Sequence, residues 1–152
     1  MEIATLRILV VDPDPASRSM TAAWLAEFFG RLAIETAVSA AEAMQALHRQ
    51  RPDLVLVAHP VPALQGVGVT ALIKELPYPP AVVVVTADCA MTLDLQCRAA
   101  GVDLLIERRH LHSRLPAYLR RRFPKVWADG AGARSEESLR SRSRPPAGRT
   151  RP

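Results

Sequence analysis

Three short runs, Ile8-Leu9-Val10-Val11, Leu54-Val55-Leu56-Val57 and Ala81-Val82-Val83-Val84-Val85, are apolar at every position. A strand with one wet face alternates between apolar and polar residues. Unbroken runs of Val, Ile and Leu instead suit parallel strands covered on both faces, so these three read as the centre of a sheet. Ala33 to Val38 and Val102 to Ile106 are weaker, interrupted by Glu35 and Asp103, and suit its edges.

The segments between the strands are long enough for crossover helices. Asp14 stands as N-cap before Pro15, whose fixed φ suits a first helical position, and Gly30 ends the first helix. The second opens on Ser39 and Glu42, a Ser-x-x-Glu capping box, and stops before Pro52. A third fits Val67 to Glu75, ahead of Pro77, Pro79 and Pro80. A fifth fits Ser113 to Phe123, with Pro116 in its first turn. Between them, Met91 to Arg98 alternates apolar and polar, which favours a strand. Its position overrides that period, because two parallel strands need a crossover, and a fourth helix is expected. Five βα units in about 120 residues imply an α/β, doubly wound, five-stranded parallel sheet in the order 2-1-3-4-5, with any site at the carboxyl ends of the central strands.

Composition refines this picture. The 152 residues, 49% hydrophobic and 23% charged, suit one domain with a buried core. No run reaches a membrane span, and Met1 to Val11 lacks the features of a secretory signal, so a cytoplasmic protein is expected. Cys89 and Cys97, eight apart and read as lying in one helix, are too far apart to pair; they and the histidines lack zinc-ligand spacing. Of the net charge of +5, +4 lies from Pro124 onward, where seven basic residues face three acidic ones. Residues 1–123 form the folded domain and are nearly neutral; 124–152, with Arg140-Ser141-Arg142-Ser143-Arg144, Pro145, Pro146 and Gly148, read as a basic, disordered tail.

At the strand ends the residues become specific. Leu6 to Asp12, Arg18, Pro52-Asp53 before the third strand, Pro62 and Gly66 after it, Val83 to Ala87 and Gly101-Val102-Asp103 stand in a fixed order. Over roughly residues 5 to 123 this set resembles the receiver domain of bacterial response regulators, which has the flavodoxin-like sheet order. The resemblance implies a two-component phosphorelay protein that takes a phosphoryl group on an aspartate ending the third strand, with Mg²⁺ held by acidic residues after the first. Such chemistry needs a carboxylate nucleophile, oxygen ligands for a hard cation, and a cation plus a hydroxyl for the transferred group.

Matched position by position, the nucleophile is Ala58, the acidic pair is Asp12 followed by Pro13, the hydroxyl is Thr86 and the lysine is Arg108, followed by Arg109. The switching aromatic is Leu105. The pocket is thus read as vestigial, with no metal, no cofactor, no catalytic residue and no enzymatic activity. Asp12 is expected to be satisfied by Arg108 or nearby amides, Thr86 to bond locally, and Asp14 to cap its helix. His59 reads as a turn residue, His48, His110 and His112 as solvated, and Trp24, Leu25 and Phe28 as a core stripe.

The expected function is therefore a phosphorylation-independent signalling and interaction module, a pseudo-receiver. Its partner would be a histidine kinase or other signalling protein, or a second copy, with no membrane contact. The face expected to bind, Met91 to Phe123, offers Leu105, Leu111, Leu115, Tyr118, Arg120, Arg121 and Arg122. Two alternatives remain open: a working phosphoacceptor using a displaced acid such as Asp14, and weak, non-specific nucleic-acid binding through the tail.

Overall fold

A computed structural model describes residues 5–28, 31–59, 66–88 and 90–127, and the apolar runs fall where strands form in it. Strands β1 (Leu6–Val11), β2 (Leu32–Ala37), β3 (Leu54–His59), β4 (Ala81–Thr86) and β5 (Leu104–Glu107) form one parallel sheet in the order β2-β1-β3-β4-β5. All six residues of β4 are buried, whereas β2 and β5 at the edges are only partly covered. Among the described residues no helix is long and apolar enough to cross a membrane.

Because side chains alternate across a strand, the same runs feed two separate cores. Ile8, Val10, Leu54, Leu56, Val83 and Val85 point to one face, under helices α1 (Pro15–Phe28) and α5 (Leu111–Arg122). Leu9, Val11, Val55, Val57, Val82 and Val84 point to the other, under α2 (Ala40–Arg49), α3 (Gly66–Lys74) and α4 (Met91–Ala100).

Both expected N-cap side chains accept helix amides. The Ala16 amide donates to Asp14 Oδ1 at 3.2 Å, and the Glu42 amide donates to Ser39 Oγ at 3.2 Å. Of the expected capping box only this half forms, since Glu42 makes no return bond among the described residues. Gly30, the expected end of α1, lies outside the described residues.

α4 is a helix in spite of its strand-like period. Leu93 and Cys97, four apart, are buried, while Met91 and Leu95, also four apart, are 81% and 61% exposed. Two apolar stripes on opposite sides of one helix produce the alternation. Gly101 at φ 87° ends it, and the Val102 amide donates to Cys97 O at 2.9 Å, closing a Schellman turn. Cys89 precedes α4 rather than lying within it, and is outside the described residues.

Three expectations need correction near the C-terminus. A 3₁₀ turn, Arg108–His110, runs straight into α5, so the helix starts at Leu111, two residues before Ser113. Pro116 is then its sixth residue, inside the helix and buried, where its missing N–H leaves the His112 carbonyl without its helical donor. The ordered chain also continues past 123: Pro124–Trp127 form a short helix, α6, and Val126, 9% exposed, joins the core under α5. The rest of the expected tail, 128–152, is outside the described residues.

Two aspartates bind the sheet together at the amino ends of its strands. Asp53 Oδ2 accepts the Arg7 amide at 2.9 Å. Asp103 Oδ2 accepts the Val82 amide and Lys74 Nζ, each at 2.7 Å, and so joins α3, β4 and the approach to β5.

Leu115 is fully buried at the centre of the α5 contact. Leu115→Ala should therefore lower unfolding stability by about 2–5 kcal/mol, read as a lower urea midpoint with an unchanged slope.

Candidate functional site

The carboxyl ends of β1, β3 and β4 meet at one edge of the sheet, because parallel register aligns Val11 with Val57, and Ala58 with Val85. Asp12, the next residue after β1, is 4% exposed. Its Oδ1 accepts the Asp14 amide at 2.9 Å, its Oδ2 lies 3.7 Å from Arg108 Nη2, and its carbonyl accepts Arg18 Nη1 at 2.8 Å. The carboxylate thus accepts one amide hydrogen bond and forms a longer ion pair with a guanidinium. Arg108 also donates through Nη1 to Ser17 Oγ on α1, which draws its guanidinium sideways across the mouth of the site.

Thr86 is buried and bonds locally: its hydroxyl donates to Asp88 O at 3.0 Å and accepts the Asp88 amide at 3.3 Å. Ala58 stands between Asp12 and Thr86 and presents only a methyl group. His59 is not a turn residue but the last residue of β3, paired with Thr86, and its buried Nδ1 has no hydrogen-bond partner among the described residues. The space framed by Asp12, Ala58, Val85 and Arg108 is about 10 Å³, room for about one water molecule.

These donors do not fit Mg²⁺. The ion wants six oxygens in near-ideal octahedral order, with carboxylates among them. Here Pro13 and Ala58 bring no side-chain oxygen, Asp12 Oδ1 already accepts an amide while a guanidinium faces Oδ2, and Asp14 Oδ1 caps α1. No group of three or more His, Cys, Asp or Glu side chains among the described residues is arranged to hold a metal.

The expected partner face divides sharply. Leu111, Leu115 and Tyr118 are 4%, 0% and 7% exposed and belong to the core, so they offer a partner nothing. Their spacing, with Leu119, is i, i+4, i+7, i+8, the stripe by which a helix faces its sheet, and that signal was present in the sequence. Leu105 is half-buried against the opposite core, and Arg121 is exposed. The open apolar groups on this side are Met91 and Leu95 of α4.

On the other side of Arg108 a groove of about 690 Å³ runs between α1 and the start of α5, lined by Ser17, Met20, Trp24, Glu27 and His112 among others. Trp24 is half-buried in this groove rather than wholly core. His112 is exposed at its helix, yet its ring meets Trp24 edge-on at 4.4 Å between centroids. Leu25 is the core residue of the expected stripe, and the Phe28 side chain lies outside the description.

A model of the response regulator receiver domain matches residues 8–120. A positive alginate biosynthesis regulatory protein of Pseudomonas aeruginosa is 32% identical over 98 residues, which are 63% of this chain and 40% of that protein. A putative transcriptional regulator of the same organism is 29% identical over 109 residues, 72% of this chain and 52% of that one. The chain therefore spans about half the length, or less, of these curated relatives. Among solved structures, the response regulator TrrA of Thermotoga maritima, in complex with Mg²⁺-BeF, superposes with a TM-score of 0.67 at 25% identity, covering 77% of this chain and 98% of that one.

Tyr118 carries a perturbed group. Burial first, then the Asp103 carboxylate, raise its phenol pKa above the ordinary 10.0, against smaller opposing effects of Arg122 and Arg121. The folded state holds this proton more tightly than the unfolded chain. Its contribution to stability is complete below pH 10 and is lost as pH rises through the folded value. In Tyr78→Phe, where Tyr118 is the remaining tyrosine, phenolate absorbance should appear above pH 10 and fall back to the ordinary range on unfolding in urea.

Proposed function

We propose, from the premise that this chain belongs to the response regulator receiver family, that it is a degenerate receiver acting as a phosphorylation-independent protein-interaction module. Receiver domains of two-component systems interact with histidine kinases and other signalling proteins. The observation that carries the finer reading is the methyl group of Ala58 where β3 ends, beside an Asp12 already neutralised by Arg108. An acyl phosphate needs a carboxylate oxygen, and alanine has none. A site whose remaining cation is hydrogen-bonded to Ser17 and paired with Asp12 has little left with which to stabilise a phosphoryl group.

On this reading the domain is not an enzyme and needs no cofactor; its output is the surface it presents. Exposed Met91 and Leu95 supply apolar contact, with Arg98 on the same helix at the polar margin. A second copy of the chain is one partner this face would admit. A displaced acceptor at Asp14 is disfavoured, because Asp14 Oδ1 accepts the Ala16 amide and its carbonyl accepts the Arg18 amide.

Restoring the chemistry tests the proposal. Wild-type protein incubated with acetyl phosphate and Mg²⁺ should show no mass increase, and Ala58→Asp alone should remain unmodified because the second acidic ligand is absent. The double variant Pro13→Asp/Ala58→Asp should gain about 80 Da, one phosphoryl group on the new nucleophile. A labile phosphoryl group on the wild type would refute the reading, and its position would decide whether Asp14 is the acceptor.

A further inference from the structure

Charge is divided along this fold far more unevenly than the near-neutral sum over residues 1–123 suggests. Residues 1–107 hold seven basic and twelve acidic side chains, whereas 108–125, the 3₁₀ turn with α5 and the start of α6, hold seven basic and no acidic ones. Some of these cations are engaged: Arg108 faces Asp12, Arg109 meets Glu107 at 2.6 Å, and Arg122 lies over the Phe123 ring at 5.0 Å. Arg114, Arg121 and Lys125 are exposed and have no carboxylate partner among the described residues.

Their placement follows from the helix. Arg114 and Arg121 are seven residues apart, two turns, so they share one outward stripe about 10 Å long; α5 ends at Arg122, and exposed Lys125 follows in α6, beyond the non-helical Phe123. The large apolar residues of α5 all face the core. The outer surface of α5 is therefore cationic without an apolar anchor, and protein interfaces draw most of their energy from such anchors. A phosphate backbone needs none, since cations that replace its counterions supply the affinity. The aromatic rings described beside this surface are engaged, His112 against Trp24 and Phe123 under Arg122, so single strands would gain little from stacking on them. Residues 128–152, which follow α6 directly, add six arginines and three acids.

We infer that the outward face of α5 and α6 binds the phosphate backbone of duplex DNA without reading its sequence, with Arg114, Arg121 and Lys125 as the principal contacts. The site lies on the folded domain, so the following arginines add to it rather than create it. The inference goes beyond the interaction-module proposal and does not depend on it.

The test is fluorescence anisotropy of the full chain with a labelled random duplex of about 20 base pairs. Arg114→Ala/Arg121→Ala/Lys125→Ala should weaken binding more than tenfold near 50 mM salt and reduce the salt slope by about 2–3, close to 0.9 per phosphate contact. Arg7→Ala/Arg49→Ala/Arg51→Ala, an equal charge loss at exposed positions away from α5, should bind like the wild type. A full-length variant with Arg134, Arg140, Arg142, Arg144, Arg149 and Arg151 changed to Gln should bind more weakly yet still respond to the α5 substitutions. Circular dichroism and the thermal midpoint establish that each variant is folded. The inference is overturned if the α5 variant binds like the wild type, if both alanine triples lose equally, or if neutralising 134–151 alone abolishes binding. Polyglutamate competing as well as unlabelled duplex would also overturn it and identify an acidic protein as the ligand. A single-stranded competitor as good as duplex would count against the assignment to DNA duplexes.

Discussion

Burial of β1, β3 and β4 on both faces is the constraint from which the rest of this molecule follows. A parallel strand covered on both sides has no room for an unpaired polar side chain, and its backbone is satisfied only by neighbouring strands. Helices must then lie above and below, and polar chemistry is pushed to the rim where strands end. Asp12 and Thr86 are buried polar residues at that rim, each held by bonds to residues within a short loop. The site's position is thus a result of sheet geometry, while its chemistry depends on a handful of side chains.

Those side chains have settled into a self-contained arrangement. The Asp12–Arg108 pair at 3.7 Å joins a buried carboxylate to a guanidinium that is 44% exposed. Solvent screening keeps such a pair to about 1 kcal/mol or less. Its importance lies in occupancy, because the arginine fork reaches both Asp12 and Ser17, and so lies across the opening at Ala58. A lysine, a single ammonium on a flexible stem, would not span both partners in the same way.

The central strands were legible in the sequence because unbroken Val and Leu runs have few other uses, and the sheet order followed from the five βα units they imply. The ends of elements were less so. Ser113 looked like the start of α5, but its hydroxyl donates to the His110 carbonyl, and the preceding 3₁₀ turn had already begun the helix. That two-residue difference brings Leu111 into the helix and the core, whereas Leu115 and Tyr118 face inward with either start, through the stripe they form with Leu119. Met91 and Leu95 were hidden for the opposite reason: a helix with apolar stripes on two sides mimics a strand. The identities at the strand ends, Asp12, Ala58, Thr86 and Arg108, could be placed from spacing alone. The tie between Arg108 and Ser17 could not, since 91 positions separate them.

Asp53 and Asp103 give the molecule a different kind of asymmetry. Each carboxylate takes up a backbone amide of a neighbouring strand at the end of the sheet opposite the candidate site, and Asp103 also engages Lys74. Register is thereby secured at one end of the strands, while the candidate site stands at the other. Substitutions at the far rim can accumulate without disturbing the aspartates that hold the sheet in register. A fold divided in this way leaves the chemistry of its site free to diverge over evolutionary time, because the aspartates that hold the strands in register stand elsewhere.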